Sequence, residues 1–129
     1  MPLLHEIQAS LGFIPIDSVA TIASGMGLSR AEVHGVISFY HDFHDRPRGQ
    51  KTIHVCRAEA CQAVGSRQLE AHVKNRLGVD YGETTADRRF SLEPVYCLCN
   101  CACGPSIRIA DDVFARMDAD RFDELLGDI

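Results

Sequence analysis

The chain has 129 residues, of which 46% are hydrophobic and 24% are charged, close to the averages for globular proteins. This length suits one domain, or one domain with a small helical extension, and the composition excludes a disordered tail and a fibrous repeat. Thirteen Lys and Arg against eighteen Asp and Glu leave a net charge of −5. No basic cluster is dense enough to follow a phosphate backbone, so we expect no nucleic-acid partner.

The cysteine content and the hydropathy of the chain indicate its compartment. No stretch approaches the run of about eighteen apolar residues that a transmembrane helix needs, and the segment Met1–Glu6 lacks the pattern of a signal peptide. We therefore expect a soluble, cytoplasmic protein without membrane contact. The cytosol keeps thiols reduced, so the six cysteines are expected to bind a metal or a cluster instead of forming disulfides.

Three short helices are predicted at the start of the chain. Apolar residues recur at helical spacing between Leu3 and Leu11, and Gly12 follows as a C-terminal cap. A second helix runs from Val19 towards Gly27. Ser29, with Glu32 three residues later, forms the capping box of a third helix. These helices predict a small N-terminal helical bundle.

The segment Arg46–Gln50 is the clearest break in the sequence. It places Pro and Gly among charged residues, which suits neither a helix nor a central strand. We therefore predict an N-terminal helical bundle over residues 1–46 and a second domain over residues 47–129. The segment His41–Asp45 just before the break is interpreted as a solvated helix end and not as a metal site.

The second domain has the pattern of an α/β fold. A strand is predicted over Thr52–Cys56, followed by a helix from Val64 to Leu77 that Gly78 ends. Three further strands and a closing helix are predicted at Phe90–Val95, Ser106–Ala110, Val113–Ala115 and Asp118–Leu126. A four-stranded sheet with flanking helices would bury these apolar faces. The order of elements suits a thioredoxin-like module, and it also suits other small α/β folds.

Two cysteine pairs follow predicted strands. Cys56 and Cys61 are separated by four residues, and Cys97 and Cys101 by three. Loops that leave neighbouring strands can bring four thiolates together, and thiolate selects zinc, cuprous copper or iron with sulfide. A structural zinc site with four cysteine ligands tolerates such gaps, while a four-residue gap also opens the plant-type ferredoxin motif. Buried free thiols that only pack are a third possibility. Spacing alone leaves these alternatives open.

The wider sequence resembles a known family. Cys56-x4-Cys61 and Cys97-x3-Cys101, with Pro105 four positions later, are similar to the thioredoxin-like 2Fe-2S subunit that accompanies the flavin- and NAD-binding subunit of respiratory complex I. Similar subunits occur in NAD-reducing hydrogenases and soluble NAD-dependent formate dehydrogenases. Further matching elements cover nearly the whole chain: Gly12-Phe13-Ile14-Pro15, Glu32-Val33-His34-Gly35-Val36, Phe39-Tyr40, Phe43, Pro47 to Gly49 and Gly82-Glu83-Thr84-Thr85.

The resemblance implies one 2Fe-2S cluster, with the ligands Cys56, Cys61, Cys97 and Cys101. The segment Cys56–Gln62 and the short N-terminus look most like the small subunit of the formate dehydrogenases. The implied partners are a flavin- and NAD-binding iron-sulfur subunit, which holds FMN, the NAD site and further iron-sulfur clusters, and a catalytic subunit with a molybdenum cofactor. The alternatives are the equivalent subunit of NADH:quinone oxidoreductase or of an NAD-reducing hydrogenase, and, from another class, an interaction domain built on a structural zinc ion with four cysteine ligands.

The sequence departs from the family pattern at two extra thiols. Position 99 is glycine in the usual pattern and Cys99 here, and Cys103 stands four residues further on. Cys99 and Cys103 are themselves separated by three residues, so a slipped ligand pair is conceivable. The spacing to Pro105 favours Cys97 and Cys101 as ligands, with Cys99 and Cys103 as non-ligating thiols. A glycine at position 99 would permit positive φ, which a cysteine tolerates less well.

No catalytic apparatus accompanies the cysteines. The sequence has no nucleophile motif, no phosphate-binding glycine loop and no carboxylate pair at a spacing that demands acid-base chemistry. None of the six histidines is assigned to a metal. The chain is therefore expected to transfer single electrons as a non-catalytic subunit of an oxidoreductase complex.

Overall fold

A computed structural model describes all residues, Met1–Ile129. The chain divides into two compact units, Met1–Arg48 and Gly49–Ile129. This division falls two residues after the boundary predicted at residue 46.

The N-terminal unit consists of three helices, α1 (Pro2–Leu11), α2 (Ser18–Met26) and α3 (Arg30–Phe39). Gly12 and Gly27 end the first two helices in the left-handed conformation. The Ser29–Glu32 capping box that begins α3 is complete, since each side chain bonds the other residue's backbone N–H. The helices enclose a core of Leu4, Ile14, Val19, Ile22, Ala23, Val33, Ile37 and Phe43.

The segment after α3 differs from the prediction. Helix α3 ends at Phe39, so residues 41–45 form a turn and a loop and not a helix end. The Gln8 side chain holds this loop against α1, since its amide oxygen accepts the backbone N–H of His44 at 2.8 Å. The backbone N–H of Ile14 also donates to the carbonyl of His44, at 2.7 Å.

The second unit has a four-stranded sheet and three helices. The strands are β1 (Lys51–Cys56), β2 (Phe90–Val95), β3 (Ile107–Ile109) and β4 (Asp112–Phe114), and their order across the sheet is β2-β1-β3-β4. Strand β1 runs parallel to β2 and antiparallel to β3, and β3 runs antiparallel to β4. This mixed sheet confirms the thioredoxin-like α/β fold class that was predicted.

The helices of the second unit are α4 (Glu59–Ala63), α5 (Ser66–Leu77) and α6 (Ala119–Asp128). The apolar side chains of alternating strand residues pack with one face of α5 and α6 in a core that contains Ile53, Val55, Leu69, Val73, Phe90, Leu92, Ile107, Ile109, Met117 and Phe122. The single helix predicted from Val64 is wrong in its first turn. The helical path breaks at Gly65, whose φ of 106° belongs to the left-handed region, and a separate short helix precedes it.

Candidate metal centre

The cysteine loops leave one edge of the sheet. Strand β1 ends at Cys56, which is paired with Val95, the last residue of the parallel strand β2. Cys97 follows two residues after the end of β2. Because carboxyl ends of parallel strands lie at the same edge, both cysteine pairs begin side by side, as the sequence predicted.

The first pair, Cys56 and Cys61, is buried, with 2% of each residue exposed. Cys61 lies inside α4, which begins at Glu59, and so it does not precede a helix as the sequence suggested. The loop between the two cysteines is held by its backbone. The N–H of Arg57 donates to the carbonyl of Val95 at 2.7 Å, and the Gln62 side chain donates to the carbonyl of Arg57.

A buried hydroxyl forms a hydrogen bond with the backbone of Cys56. Ser66, the first residue of α5, is 1% exposed, and its Oγ donates a hydrogen bond to the carbonyl of Cys56. The break at Gly65 allows α5 to start at this point. Sequence reasoning missed this residue, and the Gly65–Ser66 dipeptide, a helix breaker followed by a hydroxyl, is the signal that was available.

The second pair, Cys97 and Cys101, is exposed. Its loop continues into a 3-10 turn, Cys101–Cys103, and then a buried Pro105. The backbone N–H of Arg116 donates to the Cys103 carbonyl at 2.7 Å, and that of Met117 donates to the Pro105 carbonyl at 2.9 Å. The loop is therefore anchored on its C-terminal side by the segment that follows β4.

The four thiols form two close pairs. Each thiol interacts with the other member of its pair, Cys56 with Cys61 and Cys97 with Cys101. Between the pairs the interaction is electrostatic, and it joins Cys101 to both Cys56 and Cys61. No group of three or more His, Cys, Asp or Glu side chains is arranged to hold a single metal ion. The four thiols thus lie as two interacting pairs at one edge of the sheet, which suits a binuclear cluster with two thiolates on each iron.

The thiol pKa values follow from these surroundings. Burial, and then the hydrogen bond with Cys56, raise the pKa of Cys61, while the backbone N–H of Ser106 opposes the shift. The charge of Cys97 raises the pKa of Cys101. The backbone N–H of Cys99, 3.2 Å from the Cys97 Sγ, lowers the pKa of Cys97. Without a cation, four thiolates repel one another, which favours the protonated thiols. A bound cationic metal would instead favour the thiolates.

Gly104 leaves space that a side chain would fill. A β-carbon at this position would lie 3.2 Å from Val64 Cγ2 and 3.3 Å from Cys61 Sγ. The Gly104 backbone is extended, with φ −69° and ψ 165°, so close approach, and not conformational freedom, explains the glycine. Sequence reasoning missed Gly104, because no local pattern reveals a contact with a residue 43 positions earlier (104 − 61).

Arg57 follows Cys56 in the sequence, and Glu70 compensates its positive charge. Its Nε lies 3.0 Å from Glu70 Oε2, and its guanidinium lies 5.4 Å from the centre of the Tyr81 ring. Glu70 raises the pKa of Arg57, and a hydrogen bond to the Tyr96 side chain acts in the same direction. Arg57, the residue after Cys56, therefore interacts with Tyr96, the residue before Cys97.

Cys99 adopts the conformation for which a glycine would be expected. Its φ is 56°, in the left-handed region. The backbone strain anticipated from the sequence at this position is therefore present, since a cysteine occupies a glycine-like conformation. Cys103, by contrast, lies in the 3-10 turn and has no positive φ.

The donor set fits a binuclear iron-sulfur cluster. It supplies four thiols in two pairs at one sheet edge, backbone N–H groups directed at Cys97 and Cys61, and a glycine against Cys61. Thiolates with amide donors around them are the usual setting of such clusters. None of the six helices is long and apolar enough to span a membrane.

Comparisons with known proteins agree with this geometry. The family model of the thioredoxin-like [2Fe-2S] ferredoxins matches residues 1–129. The HndA subunit of the NADP-reducing hydrogenase of Solidesulfovibrio fructosivorans is 31% identical over 98% of this chain and 74% of its own length. A subunit of the NADH-quinone oxidoreductase of Rhizobium meliloti (strain 1021) is 35% identical over 98% of this chain and 75% of its own length.

A solved structure also matches the fold. An NAD+-reducing [NiFe]-hydrogenase in the air-oxidized state superposes with a TM-score of 0.78 and 25% identity over 98% of this chain. This chain spans only 22% of that hydrogenase chain, about a fifth of its length. From the fold, the paired thiols and the match along the full sequence, the chain belongs to the thioredoxin-like [2Fe-2S] ferredoxin family, of the type found in NADH-quinone oxidoreductases.

Proposed function

We propose that Cys56, Cys61, Cys97 and Cys101 hold one [2Fe-2S] cluster, and that the chain transfers single electrons in a cytoplasmic NAD-dependent formate dehydrogenase complex. The observation that carries the proposal is that the loops of both cysteine pairs leave the same sheet edge, where the thiols of each pair interact. In this assignment the cluster belongs to the domain of residues 47–129, and residues 1–46 form a helical domain of their own.

Different residues of the chain would hold the two sides of the cluster and stabilise its charge. When bound, the cluster accepts one electron and returns it. Cys56 and Cys61 hold the buried side, while Cys97 and Cys101 form the exposed side, through which a partner's redox group can approach. The N–H groups of Cys99 and Ser106 face ligand sulfurs, where they stabilise added negative charge. Since the sequence has no catalytic motif, we assign electron transfer to this chain and the reaction itself to partner subunits.

The choice of complex rests on the sequence between the first two ligands. The segment Cys56–Gln62, Cys-Arg-Ala-Glu-Ala-Cys-Gln, resembles the small subunit of soluble formate dehydrogenases. The proposed partners are a flavin- and NAD-binding iron-sulfur subunit with FMN and a molybdenum-containing subunit that oxidises formate to carbon dioxide. The electrons would then reduce NAD+ to NADH.

A second candidate complex has its own support. Relatives of this chain are named as subunits of NADH-quinone oxidoreductases and of an NADP-reducing hydrogenase. A chain with the same fold and cysteine pairs would serve equally in either assembly. The alternative to formate dehydrogenase is therefore the equivalent electron-transfer subunit of one of these complexes.

Metal analysis with cysteine variants tests the ligand set. The chain is purified anaerobically and its iron, zinc and acid-labile sulfide are measured, together with the reduced-state EPR spectrum. We expect two irons and two sulfides per chain, near-complete loss of the EPR signal in Cys56→Ser and Cys97→Ser, and its retention in the matched control Cys103→Ser. Zinc without sulfide in the wild type, or an unchanged spectrum in Cys56→Ser, would refute the assignment.

Purification of the native assembly tests the choice of complex. The tagged chain is isolated from its own cells with its partners attached. Formate-dependent reduction of NAD+ and stoichiometric molybdenum are expected. Nickel with hydrogen-dependent activity, or a quinone-reducing membrane assembly, would replace the formate dehydrogenase assignment by the second candidate and would leave the cluster assignment intact.

A further inference from the structure

In the sequence, Cys99 lies halfway between Cys97 and Cys101, the two exposed thiols assigned to the site. Its backbone N–H is directed at the sulfur of Cys97. Its φ is 56°, and its backbone N–H donates to Cys97 Sγ at 3.2 Å. A non-glycine residue enters the left-handed region at an energetic cost, and a β-branched residue enters it least readily. The hydrogen bond to Cys97 therefore depends on a backbone conformation that is sensitive to the residue at position 99.

The side chain of Cys99 contributes less than its backbone. The residue is exposed, so its thiol adds little to any core. The Cys99 thiol also lowers the pKa of Cys97, after the backbone N–H, but S–H is a weak donor, whereas a backbone N–H is a strong one. The stronger contact of Cys99 with Cys97 is the one made by its amide.

The residues that follow hold this amide in place. The Asn100 side chain donates to Ser106 Oγ at 3.2 Å, and the backbone N–H of Cys103 donates to the Asn100 carbonyl at 3.0 Å. With Asn100 fixed on both sides, the direction of the preceding amide is set mainly by the dihedral angles of Cys99. A change of φ at this residue would turn the N–H away from Cys97.

We propose that Cys99 is a positioning residue that acts through its main chain: its left-handed backbone directs an N–H to the Cys97 sulfur and raises the reduction potential of the cluster, while its thiol is not a ligand. The inference rests on the proposed [2Fe-2S] function. The physical reason is that reduction adds negative charge to the cluster and its ligands, and a donor aimed at a ligand sulfur stabilises the reduced form more than the oxidised form.

The test compares substitutions that keep or disfavour the left-handed backbone. The full-length chain with its cluster is prepared as Cys99→Gly, Cys99→Ala and Cys99→Val, and reduction potentials are measured by titration followed by EPR. Glycine and alanine should leave the potential and the EPR g values as in the wild type. Valine should lower the potential with the ligand set unchanged. The matched controls Cys103→Ala and Cys103→Val, at a residue without positive φ, should both leave the potential unchanged.

Other outcomes would overturn the inference in recognisable ways. Equal potentials in Cys99→Ala and Cys99→Val would show that the backbone conformation does not matter, and altered g values in Cys99→Ala would show that the thiol is a ligand. If Cys99→Val loses its cluster, iron content replaces the potential as the measure. Full occupancy in Cys99→Gly and Cys99→Ala, with depletion in Cys99→Val only, supports the inference. Depletion in Cys99→Ala contradicts it. A wild type without iron and sulfide would instead refute the proposed function itself.

Discussion

Gly104 packs closely beside the sulfur of Cys61. Gly104 belongs to the segment that follows Cys101, the last residue of the second cysteine pair. A β-carbon on Gly104 would lie 3.3 Å from that sulfur, tighter than ordinary van der Waals contact. The contact joins the segment after Cys101 to the buried thiol pair and fixes how closely the two loops approach. The size of residue 104 therefore controls the space available to a cluster.

The variant Gly104→Ala should weaken cluster retention. Its methyl group would displace either Val64, which is exposed and free to move outward, or Cys61, which is buried. Because one neighbour is able to move, we expect a modest loss of about 1 kcal/mol in unfolding free energy, at the low end for overpacking. Iron content after anaerobic reconstitution should also fall, since any shift of Cys61 moves a proposed cluster ligand.

Gly127→Ala is the control for Gly104→Ala. A β-carbon at Gly127 meets nothing within 4 Å, and the residue lies in the last turn of α6. Alanine there should raise helix stability by about 1 kcal/mol or less and leave the iron content unchanged. Equal iron content in both variants would mean that the space beside Cys61 does not matter for the cluster.

A second prediction concerns the Ser66 hydroxyl, which donates to the carbonyl of Cys56. Ser66→Ala removes the donor to the Cys56 carbonyl at a buried position. Loss of a buried hydrogen-bond partner should lower the unfolding free energy by about 1–3 kcal/mol, measured by urea denaturation of the cluster-free chain. It should also speed cluster loss, because the end of β1 would be less firmly held.

Ser38→Ala makes the same chemical change at an exposed site. The Ser38 hydroxyl donates to the Gly35 carbonyl at 3.2 Å on the surface of α3, where water can replace it. Its effect on unfolding should stay within about 0.5 kcal/mol. If Ser66→Ala were as mild as Ser38→Ala, the hydroxyl would not support the cysteine loop.

The sequence predicted those parts of the molecule that local patterns encode. The strand Phe90–Val95 has the predicted bounds, and the Ser29–Glu32 capping box forms as expected. Each of these features depends on residues within a few positions of one another. The position of the two cysteine pairs at one sheet edge was also predictable, because it requires only that both pairs follow neighbouring parallel strands.

The remaining features of the site depend on contacts between distant segments. Nothing local separates the buried Cys61 from the exposed Cys97, since burial depends on which segments cover each loop. The break at Gly65 was missed because the apolar spacing from Val64 to Leu77 is helical throughout. The left-handed backbone of Cys99 was expected only because a glycine is usual at that position, and its hydrogen bond to Cys97 requires the three-dimensional turn.

A third prediction concerns the link between α5 and α6. Asp123 Oδ1 lies 3.0 Å from His72 Nε2 and 3.3 Å from Arg76 Nε, and the hydrogen bond with His72 lowers the pKa of Asp123. A carboxyl with a depressed folded-state pKa contributes stability above its unfolded pKa of about 3.9, and that stability is lost as the pH falls through the folded value. Asp123→Asn should therefore destabilise the chain at pH 7, and the difference from the wild type should shrink towards pH 3.

Denaturant unfolding at both pH values checks the third prediction. Asp111→Asn is the control, because Asp111 is exposed and lies in a turn between β3 and β4 without an ion pair. It should have little effect at either pH. A penalty for Asp123→Asn that is equal at pH 7 and pH 3 would show that the carboxylate charge does not hold the two helices together.

The fourth prediction removes the charge of Glu70, so that the charge of Arg57 is no longer compensated. Glu70 accepts Arg57 Nε at 3.0 Å and Lys74 Nζ at 3.1 Å, so the cation next to Cys56 is compensated. In Glu70→Gln the Arg57 charge is left unbalanced near the proposed cluster, and it should favour the reduced form. We expect a higher reduction potential in an EPR-monitored titration and little change in stability, since the ion pairs of Glu70 are exposed to solvent on the side of their cations. Glu124→Gln, an exposed residue of α6, should leave the potential unchanged. A potential that does not rise in Glu70→Gln would mean that the Arg57 charge is too far from the cluster, or too well screened by water, to act on it.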